Sequence, residues 1–200
     1  MTAPRPGPSP ARDLPPPDAL AALLEGNRRF AEGRSANQNR TLAHLRALGT
    51  RQAPFAAVLA CSDSRVPVEL LFDQGFGDVF VTRVAGNVAT SELIGSLEYA
   101  TAILGARVVL VLGHSGCGAV AATIAGAMMP GQIGSLYPYI HTAVDQAGAQ
   151  GEDAVVAANV RNQVGVLQRA SPVLAELRQD GRVVVAGGVF DFRTGLVVLL

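Results

Sequence analysis

The 200-residue chain has no tryptophan, only two cysteines, and few aromatic residues, at 5% of its length. Two cysteines are too few for a disulfide scaffold, so we expect free thiols or metal ligands. The chain also has no excess of charge of either sign: lysine plus arginine number sixteen, and so do aspartate plus glutamate. This balance removes the electrostatic argument for a nucleic acid or an anionic membrane as a partner.

Long apolar runs are absent as well. No stretch approaches the roughly 20 apolar residues of a membrane span. The N-terminal sequence MTAPRPGPSPARDLPPP lacks the apolar core of a secretory signal. We therefore expect a cytoplasmic protein. Apolar residues nevertheless make up 49% of the chain against 16% charged residues, which is typical of a globular protein and favours a homo-oligomer.

Two segments are predicted: a Pro-rich disordered arm at 1–17 and a single domain at 18–200. Apolar residues at helical spacing predict an N-terminal helical arm at 18–32. Strands then alternate with helices, which predicts an α/β fold with a mostly parallel sheet flanked by helices. Four strands are expected to be parallel, and the last is an antiparallel edge strand. The predicted strands are 55–60, 79–84, 107–112, 183–186 and 196–200; the other predicted helices are 41–48, 67–72, 91–104, 117–128, 152–170 and 172–179.

Residue types that bind metals follow two of these strands. Cys61 and Asp63 come after the first strand, and His114 and Cys117 come after the third. Sites in open α/β sheets form beyond the carboxyl ends of strands, so the two pairs are predicted to converge there. Two thiolates and one imidazole suit tetrahedral zinc, which needs a fourth position. Each residue alone also has an ordinary explanation, such as core packing for the cysteines or an ion pair of Asp63 with Arg65.

The motifs CSDSRVP at 61–67 and GHSGCG at 113–118 closely resemble the two zinc-binding signatures of the β-class carbonic anhydrases. The resemblance covers 18–200. It implies one zinc ion per subunit, held by Cys61, His114 and Cys117. It also implies that Asp63 pairs with Arg65 in the active form and ligates zinc in a resting form. The implied activity is the reversible hydration of carbon dioxide to bicarbonate by zinc-bound hydroxide.

The same resemblance implies a substrate pocket. Gln52, Phe80 and Tyr99 match the positions that bind or enclose substrate in the plant-like branch, and Gly118 allows close approach of the backbone. Part of the family's pocket comes from a neighbouring subunit, which implies a homodimer or a dimer of dimers. Plain core packing remains an alternative for Phe80 and Tyr99, and a solvated loop position remains one for Gln52.

One departure concerns a non-catalytic bicarbonate site in a second branch of the family, built from a Trp, an Arg and a Tyr. The matching positions here are Val58, Arg83 and Phe190. Without the indole and phenol donors, bicarbonate would be desolvated with too few partners. We therefore predict the plant-like branch and no inhibition of this kind.

Other interpretations stay open. The same fold and ligands serve hydrolases of carbonyl sulfide or carbon disulfide, and a zinc-stabilised module without turnover is a further alternative. The remaining histidines have no ligand-type neighbours. His44 is predicted to lie on a solvated helix face, and His141 is expected at the surface.

Overall fold

The computed structural model describes residues 14–49, 51–126 and 128–200. This part of the chain contains a five-stranded sheet in the order β2-β1-β3-β4-β5. The first four strands are parallel, and β5 is antiparallel to β4. The predicted α/β fold class is therefore confirmed. The strands are β1 (Ala56–Ala60), β2 (Val79–Arg83), β3 (Val108–His114), β4 (Val184–Phe190) and β5 (Val197–Leu199).

Helices cover both faces of the sheet. They are α1 (Pro16–Ala31), α2 (Leu42–Leu48), α3 (Val68–Leu71), α4 (Ser91–Glu98), α5 (Gly118–Ala125), α6 (Tyr137–Ala147), α7 (Glu152–Ala170) and α8 (Pro172–Gln179). The helix α1 begins two residues before the predicted boundary, because proline is well suited to a first helical turn. Residues 1–13 of the predicted arm lie outside the described residues.

The helix α6 was not predicted. Its buried side consists of Ile140, Ala143 and Ala147, and a stripe made mostly of alanine gives a weak apolar signal. Pro138 in its first turn is the start signal that could have revealed it. The predicted helix 91–104 is also divided, since α4 ends at Glu98 and a π-helical turn, Tyr99–Ile103, follows.

The two central strands are buried along their whole length. Alternate side chains of a strand point to opposite faces, so each strand contributes to two cores. Val58 and Leu110 belong to the core beneath α1 and α3. Leu59 and Val111 belong to the core beneath α4, α7 and α8. Burial on both faces explains why these strands read as continuous apolar runs.

The helix α7 approaches the sheet closely at two glycines. A Cβ at Gly113 would lie 2.5 Å from Val160 Cγ2, and a Cβ at Gly187 would lie 2.7 Å from Val160 Cγ1. These two glycines therefore make the space that Val160 fills. Because Gly113 directly precedes His114, this contact positions the end of β3.

The prediction for His44 is wrong. Its side chain is buried, and His44 Nε2 lies 3.2 Å from the Phe76 carbonyl oxygen, because α2 packs on the segment that leads into β2. His141 is exposed, as expected. In the described part of the chain, none of the helices combines the length and apolar character needed to cross a bilayer.

Candidate metal centre

The sheet has a topological switch point between β1 and β3. The connection that leaves β1 leads to β2 on one side, whereas the connection that leaves β3 leads to β4 on the other. Such a divergence opens a crevice at the carboxyl ends of the two strands. Cys61 directly follows β1, His114 is the last residue of β3, and Cys117 immediately precedes α5. All three residues therefore reach the same crevice.

The ligand atoms of Cys61, His114 and Cys117 all lie within 4.8 Å of one another, and all three side chains are buried. His114 Nδ1 lies 3.0 Å from the Ser115 carbonyl oxygen. This contact favours the proton on Nδ1 and leaves a lone pair on Nε2, the usual arrangement for a metal-binding histidine. His114 Nε2 is buried with no hydrogen-bond partner among the described residues. Two thiols and one orphaned imidazole nitrogen fit zinc well.

Each of the two thiols shifts the pKa of the other. The neighbouring Cys117 thiol lowers the pKa of Cys61, and the Gly86 N–H, which donates to Cys61 Sγ at 3.3 Å, also favours the thiolate. The pKa of Cys117 is raised, first by the adjacent Cys61 and then by burial. A bound cation would displace any proton that the pair carries.

Asp63 is clamped by Arg65 beside this centre. Arg65 Nε donates to Asp63 Oδ1 at 3.0 Å, and Arg65 Nη2 donates to Asp63 Oδ2 at 2.7 Å. The backbone N–H of Arg65 donates to Oδ1 as well, at 2.9 Å. The hydrogen bonds from the Arg65 side chain are the largest cause that lowers the pKa of Asp63 to about 2. Asp63 Oδ2 lies 3.9 Å from His114 Nε2, so an ionised carboxylate flanks the metal position while it stays paired with Arg65.

Arg83, at the end of β2, holds the backbone of the Cys61 loop. Its Nε donates to the Cys61 carbonyl at 2.9 Å, and its Nη2 donates to the Asp63 carbonyl at 2.6 Å. The sequence analysis related Arg83 only to a non-catalytic bicarbonate site. It did not predict that Arg83 binds the backbone of the Cys61 loop. The other two positions in that comparison are apolar and buried: Val58 lies in the core, and Phe190 packs against neighbouring rings.

A buried amide network supports the loop from the other side. Asn159 Nδ2 donates to the Gly86 carbonyl at 2.9 Å, and Gln163 Nε2 donates to Asn159 Oδ1 at 3.0 Å. Gly86 adopts a positive φ of 76°, which favours glycine and turns its N–H toward Cys61. This network was missed from sequence. Its only local signal is a pair of amides four residues apart on α7, a spacing that places both on one helix face.

The predicted substrate residues are distributed over both ends of the sheet. Gly118 begins α5 directly after Cys117, and nothing lies within 4 Å of a Cβ built there. Phe80 lies in β2, where it pairs with Ala57 of β1. Its ring centroid is 6.4 Å from that of the exposed Tyr99. Gln52 is exposed and precedes β1.

Gln52 is thus separated from Cys61 by the length of the strand. The five residues of β1 span about 17 Å at the usual strand rise. The structure brings the three candidate ligands, Asp63, Arg65 and Gly118 together at the carboxyl edge. Gln52 lies apart from them, at the amino edge of the sheet.

Fold and donor set together define an α/β protein in which three side chains could hold a metal ion. Residues 56–197 match the sequence model of the carbonic anhydrase family. Carbonic anhydrase 2 of Mycobacterium tuberculosis is 35% identical over 191 residues, covering 92% of each chain. A carbonic anhydrase of Pseudomonas aeruginosa is 37% identical over 170 residues, covering 76% of each chain.

Solved structures agree with these sequence matches. A Coccomyxa β-carbonic anhydrase, in complex with acetazolamide, is 31% identical with a TM-score of 0.70, covering 90% of this chain and 86% of its own. A tetrameric β-carbonic anhydrase from Sordaria macrospora has a TM-score of 0.72, covering 92% of this chain and 97% of its own. Because the two chains are only 23% identical, this likeness shows the fold alone. The chain belongs to the β-carbonic anhydrase family. The predicted family, fold class and enzyme class are confirmed.

Proposed function

We propose that the protein is a zinc enzyme that reversibly hydrates carbon dioxide to bicarbonate and a proton. The observation that carries the proposal is the buried set of Cys61, His114 and Cys117 ligand atoms, within 4.8 Å of one another, beside a carboxylate that is already engaged by Arg65. A structural zinc site closes all four positions with protein ligands, whereas a catalytic site keeps one position open. Three converging donors favour the catalytic kind.

Cys61, His114 and Cys117 would hold the ion. When bound, zinc supplies a Lewis acid that lowers the pKa of a coordinated water from about 15.7 to near 7. Asp63 remains ionised beside Arg65, so its carboxylate accepts a hydrogen bond from the attacking water and orients that water toward carbon dioxide. Arg65 holds the carboxylate in this orientation through its two side-chain hydrogen bonds. The space in front of Gly118 accommodates the substrate.

We also propose that the active unit is a homo-oligomer. Gln52 lies at the opposite end of β1 from Cys61 and can serve a metal centre only in a second copy of the chain. The buried free thiols Cys61 and Cys117 favour a reducing compartment, in keeping with a cytoplasmic location.

The test is a stopped-flow assay of carbon dioxide hydration by the zinc-loaded protein. We expect saturable catalysis that is lost in His114→Ala and retained in His141→Ala, because His141 is exposed and lies outside the donor set. Zinc-loaded protein without measurable hydration would contradict the proposal. Sulfide release from carbonyl sulfide or carbon disulfide, measured in parallel, would then identify a hydrolase of those substrates.

A zinc-stabilised module without turnover predicts a different coordination. In such a protein Asp63 would stay on the metal at alkaline pH as a fourth permanent ligand. The bidentate pairing of Asp63 with Arg65 favours an open position instead. X-ray absorption of the zinc protein at alkaline pH distinguishes the two, since a water and a carboxylate differ in their outer-shell scattering.

A further inference from the structure

Phe192 packs against both His114 of the candidate metal centre and Arg65 of the Asp63–Arg65 pair. The Arg65 guanidinium carbon lies 4.3 Å from the Phe192 ring centroid. The ring centroids of Phe192 and His114 are 5.2 Å apart. Phe192 follows β4, and neither sequence motif includes it. A single aromatic ring therefore contacts both a candidate metal ligand and the cation that binds Asp63.

The backbone fixes this ring in place. The Phe192 N–H donates to Ser115 Oγ at 3.1 Å, and the Ser115 N–H donates to the Phe190 carbonyl at 3.0 Å. The Phe190 ring meets Phe192 edge to face at a centroid distance of 5.5 Å. The loop that carries His114 and Cys117 is thereby tied to the chain after β4. These contacts hold Phe192 beside His114 without involving Arg65.

Arg65 has little else to hold it. Its side chain is 58% exposed. Besides Asp63, the one acceptor that its guanidinium hydrogen-bonds among the described residues is the Gly116 carbonyl, at 3.2 Å. A long exposed side chain loses rotamer entropy when it is fixed in one geometry. A ring face beneath the guanidinium offsets part of that loss through cation–π attraction.

We infer that Phe192 is a positioning residue that holds Arg65 next to Asp63 and so keeps the carboxylate turned away from the metal. This inference rests on the proposed function, in which the fourth metal position must stay open. Loss of the ring is expected to release Arg65 and to shift Asp63 toward the ion. The strength of exposed cation–π pairs predicts a change of about two- to five-fold in the ratio of protein with Asp63 paired to Arg65 to protein with Asp63 bound to the ion.

The experiment uses the full-length protein loaded with cobalt(II), whose visible absorption reports the ligands and geometry of the site. Phe192→Leu removes the ring but keeps an apolar side chain, whereas Phe192→Tyr keeps the ring. We expect Phe192→Leu to change the absorption spectrum and to weaken azide binding, with Phe192→Tyr close to the original protein. Equal behaviour of the two variants would overturn the inference, because the ring itself would then be irrelevant.

Two controls separate positioning from packing. Phe30→Leu removes a ring from the same aromatic group, 6.5 Å from Phe190, without touching Arg65. It should lower stability and leave the spectrum unchanged. In an Asp63→Ala background, Phe192→Leu should cause no further spectral change, since its effect acts through Asp63.

A persistent change in that background would contradict the inference by pointing to a direct effect on His114. A protein that binds cobalt and shows these differences, but does not hydrate carbon dioxide, would refute the proposed function and leave the role of Phe192 intact.

Discussion

Gly113→Ala tests whether the contact between α7 and the sheet positions the metal centre. The added Cβ would lie 2.5 Å from Val160 Cγ2, closer than packed carbon atoms allow, and 3.3 Å from Val156 Cγ1, which is a tight contact. Overpacking of a well-filled core costs typically about 1–3 kcal/mol. We expect the free energy of unfolding of the metal-free protein to fall by that amount. Zinc affinity should fall too, because His114 follows directly.

The measurement is urea unfolding at a fixed protein concentration, with the midpoint reduced and the slope unchanged. Gly95→Ala is the matched control, because Gly95 lies within α4 and nothing lies within 4 Å of a Cβ built there. That substitution should raise stability by about 0.5–1 kcal/mol, the usual difference between glycine and alanine inside a helix.

A second substitution tests the cause of the loss. Val160→Ala removes the methyl groups that the new Cβ would meet, so the double variant should be destabilised by less than the sum of the two single variants. Strict additivity, or a Gly113→Ala protein as stable as the original, would refute the reasoning from close packing.

Three further predictions concern the surroundings of the candidate metal centre. The pKa of Asp63 is about 2 in the fold and about 3.9 in an unfolded chain, so its stabilising contribution is complete above pH 4 and is lost as the pH falls toward 2. Asp63→Asn should therefore flatten the fall in unfolding free energy over that range, and an unchanged slope would contradict this. Asn159→Ala leaves the Gly86 carbonyl without its 2.9 Å donor and should weaken zinc binding about 10- to 100-fold in a chelator competition. The control Gln150→Ala, at an exposed position, should leave zinc binding unchanged. Added bicarbonate should slow hydration only as a product, without sigmoidal inhibition, in initial-rate assays.

The local sequence was sufficient to predict the main elements and the candidate ligands. Buried strands such as β1 and β3 carry uninterrupted apolar residues, because helices cover both faces of the sheet. The candidate metal-binding residues occupy two short motifs at strand ends, where spacing and residue type favour metal chemistry and the resemblance to a family names the ligands. The helix α6 escaped prediction because its buried side is mostly alanine.

Only the tertiary structure decided how these pieces meet. Asn159 and Gly86 are 73 residues apart, and no local pattern pairs them. Phe192 reaches Arg65 only because β4 lies beside β3 in the sheet. The same topology places Gln52 and Cys61 at opposite ends of one strand. Residue type and short-range spacing determine which groups can bind the metal. Long-range packing determines their orientation, because that orientation depends on contacts between segments far apart in the chain.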